Sequence, residues 1–188
     1  MIEKIEAGDS SLAGMVMSSP LGDAVEIHGV YHVECRDHDG VLKWEETFDN
    51  LVTTLGKNLL LDGFFGLAAQ TAVFMGLKGS GAAASGDTMA SHAGWLEVGG
   101  TNAPAYSGTR KTPAFSAASG GSKVMSAASS FTFTSGGTVD GCFMVFNGTN
   151  AQDNTTGTLY SAGTFGAPGG ARTVVAADVV NVTYTASA

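Results

Sequence analysis

Basic side chains are scarce in this chain: nine lysines and arginines stand against seventeen aspartates and glutamates, a formal net charge of −8. Neutralising nucleic-acid phosphates takes clustered cations, and none cluster here, which excludes a nucleic-acid partner. Cysteine is scarcer still. Cys35 and Cys142 are too few for a disulfide framework. Both fall in apolar, strand-like runs where a free thiol behaves as a small buried hydrophobe, so folding in a reducing compartment is expected. Long apolar runs are missing as well. The least polar stretch, Gly63 to Leu77, is broken by Gln70 and Thr71 and is too short to cross a bilayer, so no membrane partner is expected. The opening MIEKIEAGD lacks the basic-then-apolar order of a secretory leader.

What the chain has in quantity is small residues, with 27 glycines and only 14% charged side chains. That composition suits an all-β protein with many tight turns. A length of 188 residues accommodates one main domain with an appended arm. The charge is uneven: residues 1–50 hold eleven acids against three bases, a balance of −8, and the remainder is neutral. Such an end is either a solvated acidic face or a surface that docks on a basic partner. Residues 1–24 show no sustained period and read as an extended N-terminal arm, with Ile2, Ile5, Met15 and Met17 as the side chains that would anchor it on a neighbour; a frayed terminus is the alternative.

Residues 25–188 then read as a β-sandwich or jelly-roll-like domain. Over 25–48 the pattern predicts a hairpin. Val25, Ile27, Tyr31, Val33 and Cys35 alternate with polar residues, Asp39-Gly40 supplies a turn, and Val41 to Phe48 returns. The one amphipathic helix is expected at about 51–63. Leu51, Leu55 and Leu59 form its buried stripe, widened by Val52 and Leu60; Thr53 is its N-cap and Gly63 its terminator. Gly56 weakens it by roughly 1 kcal/mol relative to alanine, so it needs a sheet to pack on. The remaining strands fall in 71–186: Thr71 to Lys78, Trp95 to Val98, Lys111 to Ser116, Val124 to Ala127, Ser129 to Thr134, Val139 to Phe146, Thr158 to Ser161, Thr173 to Val175 and Val179 to Thr185. Gly141 to Phe146 is apolar on both faces and reads as a central strand. Gly79 to Thr88 offers little to bury and reads as a surface loop.

No constellation reads as catalytic. His28 and His32 would sit about 13 Å apart on a strand, beyond the reach of one metal ion. Asp37-His38-Asp39 is compact but lacks the further oxygen ligands and closing glutamate of a calcium loop. Gly81 to Thr88 imitates a phosphate-binding loop, except that Asp87 stands where the lysine belongs and would repel phosphate. No Gly-x-Ser-x-Gly elbow is present. The expectation is a non-enzymatic protein with no catalytic residue, cofactor or metal. Trp44, Trp95 and Tyr106 either cap the core or, if exposed, mark a protein or glycan contact.

Four stretches share a resemblance: Tyr31-His32-Val33-Glu34-Cys35 with Asp39-Gly40 and Lys43-Trp44-Glu45; Asp49 to Thr54 followed by Gly56; Asp87 to Trp95; and Thr158 to Gly163. Together they resemble small virion structural proteins of tailed bacteriophages, variously head-decoration, cement or tail-fibre-associated components, over roughly residues 30–184. The resemblance implies a virion component assembled in a bacterial host cytoplasm. Its partners would be the major capsid protein or other virion proteins, and it would act as a homo-oligomer. A decoration or cement protein bracing neighbouring capsid subunits is the first expectation. A tail-fibre or neck-associated protein with a receptor- or glycan-binding role is the second.

Overall fold

The computed structural model describes residues 27–67, 69–166 and 170–188. The anchoring residues Ile2, Ile5, Met15 and Met17 and the whole arm 1–24 lie outside them. In chain order the elements are β1 (His28–Arg36), β2 (Leu42–Asp49), β3 (Leu51–Val52), α1 (Thr54–Phe64), β4 (Val73–Lys78), β5 (Glu97–Val98), β6 (Ser122–Val124), β7 (Ser129–Thr132), β8 (Gly137–Val139), β9 (Gly141–Phe146), β10 (Thr158–Thr164), β11 (Arg172–Val174) and β12 (Val179–Ser187).

Alternation along β1 sends Tyr31, Val33 and Cys35 fully inward. The turn after it is held by Asp37, whose carboxylate accepts the backbone N–H of Asp39 and of Val41, while Gly40 takes the left-handed φ of +81° that glycine tolerates. β12 lies antiparallel on the other side of β1 and sets Val33 opposite Val182 and Tyr31 opposite Tyr184. One sheet therefore runs β2-β1-β12-β6, with β7 also on β12, and the second runs β3-β10-β9-β4-β5. Their facing sides make one core, Tyr31, Val33, Val182 and Tyr184 meeting Met75, Leu77, Cys142 and Met144. Each such side chain, once buried, contributes about 1.5–3 kcal/mol. The result is an all-β sandwich of antiparallel sheets with one short helix. A two-stranded sheet of β8 and β11 is fastened to β2, where Arg172 pairs with Glu46 and the Trp44 indole donates to the Thr173 carbonyl; in the turn that follows β11, the buried Asp178 is reached by Lys43 at 2.5 Å.

β9 is central and buried on both faces. Its outward residues Phe143 and Val145, with Leu159 of β10, are covered by Met89 and Trp95 from the connection between β4 and β5. The glycine-rich loop is thus the near end of a lid that brings its own apolar residues, and Gly81 passes so close that a Cβ would stand 1.7 Å from the Gly94 carbonyl oxygen.

Four expectations are corrected. The stretch Val139 to Phe146 is two strands in different sheets. Gly141, at a φ of +147° and with a would-be Cβ 1.9 Å from the Gly163 carbonyl oxygen, turns the chain between them. Lys111 to Ser116 is irregular and makes only isolated bridges, Lys111 to Met75 and Phe115 to Met125. Leu51 and Val52 belong to β3, paired with β10, because the Thr53 cap starts the helix only at Thr54. Gly63 is inside α1; the helix closes at Phe65, and Gly66 takes the left-handed conformation at a φ of +74°.

Candidate functional site

β10 is where the molecule is tied together. From the first sheet, the Tyr31 hydroxyl reaches the Ser161 hydroxyl at 3.3 Å. From the start of α1, the Thr53 hydroxyl donates to the Leu159 carbonyl at 2.5 Å and accepts the Gly56 N–H at 2.9 Å. Thr53 is therefore the N-cap its sequence position predicts, and it also fixes the helix to the sheet. The next amide, Thr54 N–H, donates to the Ser85 carbonyl of the lid. Within the lid, the Asp87 carboxylate accepts the Trp95 indole N–H and the Ala84 N–H, both at 2.9 Å. The acid that argues against phosphate binding is thus a brace for a tryptophan.

The face α1 presents to β10 differs from the leucine stripe. Gly56 and Leu59 are buried, whereas Leu51 and Leu55 are 38% and 39% exposed. The reason is contact distance: a Cβ on Gly56 would lie 2.2 Å from the Tyr160 carbonyl oxygen. Only glycine lets the helix axis come this near, and that choice turns Leu55 and Leu61 outward. Past them the chain leaves Phe64, Phe65 and Leu67 84%, 77% and 79% exposed.

Of the three aromatics, Trp95 and Tyr106 prove to be core residues, 2% and 4% exposed, so neither offers a ring to a partner here. Trp95 stacks on His92 and leans on Phe143; Tyr106 meets Phe131 edge-on. Trp95 covers the outward side of β9 with Met89, whereas Tyr106 joins the main core with Phe131 and Phe133. Trp44 is half-buried, edge-on to Phe165.

Several buried ionisable groups serve the scaffold. Arg110 and Glu97 form a buried two-pronged ion pair at 2.8 and 2.6 Å, and the Asp153 amide donates to the same carboxylate. Glu97 also lines a hollow of about 130 Å³, with Met89, His92, Asn102, Asp153 and Asn154. There the His92 Nδ1 faces the Trp95 carbonyl at 2.9 Å, and the Asp153 carboxylate accepts the Thr101 amide at 2.6 Å. The hollow mixes these polar groups with the apolar Met89 and Leu96. Lys78 is fully buried, donating to the Gly79 and Gly81 carbonyls and lying 3.8 Å from Asp140; burial pulls its pKa down against the Asp140 charge. Burial pushes the Cys35 thiol up to about 12, with the Asp178 charge adding to it, and pushes the Cys142 thiol higher still.

His28 and His32 stand on the solvent side of β1, His32 beside Thr47 at 3.2 Å. Asp37, His38 and Asp39 do gather their ligand atoms within 4.8 Å of one another on an exposed turn. The turn's own amides already occupy one Asp37 oxygen. Sequence reasoning missed the Arg110–Glu97 and Lys43–Asp178 pairs, whose members no local pattern links. It also missed the outward apolar group at the end of α1, where the doubled phenylalanine beyond Gly63 was the available signal. Comparison with protein-family models, with curated proteins and with solved structures returned no match.

Proposed function

We propose that this protein is a non-enzymatic structural component of a tailed-bacteriophage virion, a capsid decoration or cement protein that braces neighbouring capsid subunits. One observation carries the reading. Members of all four stretches that resemble virion proteins, far apart in sequence, meet at β10: Tyr31 bonds to Ser161, Thr53 and Gly56 seat the helix on Leu159 and Tyr160, and Trp95, braced by Asp87, packs beside Leu159 and Ala162. The hydroxyls of Tyr31, Thr53 and Ser161 and the Asp87 carboxylate are bonded to one another, to the Trp95 indole and to the backbone, which supports a rigid body. A body of this kind acts through its surfaces. It adds interface area across a joint between subunits, and many weak copies sum to a strong brace. The partners are the major capsid protein or other virion proteins, and the place is the virion, after assembly in the host cytoplasm. A balance of −8 disfavours the packaged nucleic acid as partner.

A tail-fibre protein with a receptor- or glycan-binding role would present Trp95 and Tyr106 in a contact loop. Their burial leaves the decoration reading better supported. Densitometry of purified virions should show a copy number comparable with that of the capsid subunits. Particles lacking the protein should lose heat and chelator resistance while keeping adsorption; retained resistance with lost adsorption would reverse the preference.

A further inference from the structure

The end of α1 carries the largest apolar side chains the described residues leave uncovered. Leu61, Phe64 and Phe65 stand three and four residues apart and so share one helix flank; they are 57%, 84% and 77% exposed. The two phenylalanine rings meet edge-on with centroids 5.1 Å apart, so they form one surface. Leu67 extends it, 79% exposed and held by its N–H on the Asp62 carbonyl. With an exposed aromatic offering roughly 200 Å², this group presents on the order of 500 Å² of apolar surface. That is the size of the largest patch on a typical monomer, where such patches are often functional. One side of a standard protein interface is about 800 Å² and somewhat over half apolar, or roughly 450 Å². The α1 patch alone meets that need.

Area and charge both admit a second copy here. Lys57 and Asp62, the two charged residues of α1, cancel, so the helix does not repel a copy of itself and can pair isologously about a twofold axis. The chain's own first 26 residues are a worse match. They hold five acids and one base, and they would meet the carbonyl end of a helix with no basic residue in its last turn, where negative charge is disfavoured. We infer that Leu61, Phe64, Phe65 and Leu67 form the centre of a twofold interface between two copies of this chain. It goes beyond the virion role by naming the surface on which the protein pairs, and it holds or fails without a capsid.

Sedimentation equilibrium on the purified full chain, over a range of concentrations, tests it. The wild type should be a dimer at micromolar concentration. The Phe64→Ser/Phe65→Ser variant should dissociate with a constant weakened at least about 100-fold, because central aromatic anchors dominate such interfaces. Circular dichroism must show the variant folded; should it not fold, Leu67→Lys, outside the helix, takes its place with the same expected loss. A wild type monomeric up to about 100 μM, roughly the weak end of specific association, overturns the inference. So does a dimer indifferent to both variants, and so does a chain that dimerises through this patch only after residues 1–26 are removed. Solution monomers leave the capsid proposal standing, and absence from virions leaves the dimer standing, so the two failures are distinguishable.

Discussion

Substituting alanine for glycine inside a helix ordinarily stabilises it, by about 1 kcal/mol. In α1 the two internal glycines should answer in opposite directions. At Gly56 the new methyl would stand 2.2 Å from the Tyr160 carbonyl oxygen, 2.9 Å from its carbon and 3.0 Å from its Cα. All three are backbone atoms of a central strand pair, and no rotamer change relieves them. The helix must move off β10, which strains the Thr53 bonds to Leu159 and Gly56. Overpacking of this kind costs about 1–3 kcal/mol, and a weakened cap adds about 1 kcal/mol. After the propensity gain, Gly56→Ala should lose on the order of 2 kcal/mol, a fall in Tm of roughly 4–8 °C for a chain this long. At Gly63 a methyl meets only the Gln70 side chain at 3.7 Å, so Gly63→Ala should gain up to about 1 kcal/mol. Urea denaturation of the two variants, compared with wild type at equal slope, reads both signs. If Gly56→Ala were neutral or stabilising, the close seating of α1 on β10 would be wrong.

Removing the cation of the buried pair, Arg110→Met, leaves Glu97 buried and uncompensated and should cost about 3–5 kcal/mol. Adding Glu97→Gln should recover part of that, and a single variant as stable as wild type in denaturant would refute the pairing. Cys35 and Cys142 are buried, with thiols held far above their ordinary value of 9.0; an alkylating reagent should label them only at the rate of unfolding, so rapid labelling of folded protein would contradict the fold. Desolvation likewise raises the hydroxyls of Tyr31, Tyr106, Tyr160 and Tyr184 above their ordinary 10.0. The unfolded chain therefore releases these protons first, so stability is full below about pH 9 and falls as pH climbs through 9 to 10 and beyond. Lys78 runs the other way, since its lowered pKa makes burial cheaper at high pH, but one group opposes six. Tyrosinate absorbance that rose well before the denaturation midpoint collapsed would count against that balance.

Where a residue's environment is set by its neighbours in sequence, the fold was legible. β1 and β12 were visible because Tyr31, Val33, Cys35 and Val180, Val182, Tyr184 alternate. Thr53 was visible because an N-cap bonds three residues ahead. What stayed hidden depends on residues far away in the chain. Nothing near Gly56 announces the Tyr160 carbonyl, 104 residues on, and so periodicity alone points to the leucines as the buried face of α1. Lys43 and Asp178 are 135 residues apart. The lid's covering role is hidden for a related reason. Gly79 to Thr88 has little to bury, and the side chains that give it a purpose, Met89 and Trp95, lie just beyond it.

Gly56 connects these observations to the surface. A helix whose only task was to cover β10 would put its large apolar residues inward and polar ones outward. α1 does the reverse at its C-terminal end, docking through a glycine and Leu59 while Leu61, Phe64 and Phe65 face solvent. The close inward seat fixes the helix axis; the outward aromatics then ride on a rigid base and not on a loose one, which lowers the ordering cost of association. The two variants should consequently separate. Gly56→Ala, by shifting the base, should weaken both folding and pairing. Phe64→Ser/Phe65→Ser should weaken pairing alone, leaving the denaturation midpoint of dilute protein where it was. If the phenylalanine variant lost folding stability in dilute solution to the same extent as Gly56→Ala, the two rings would be holding the fold together and not awaiting a second copy.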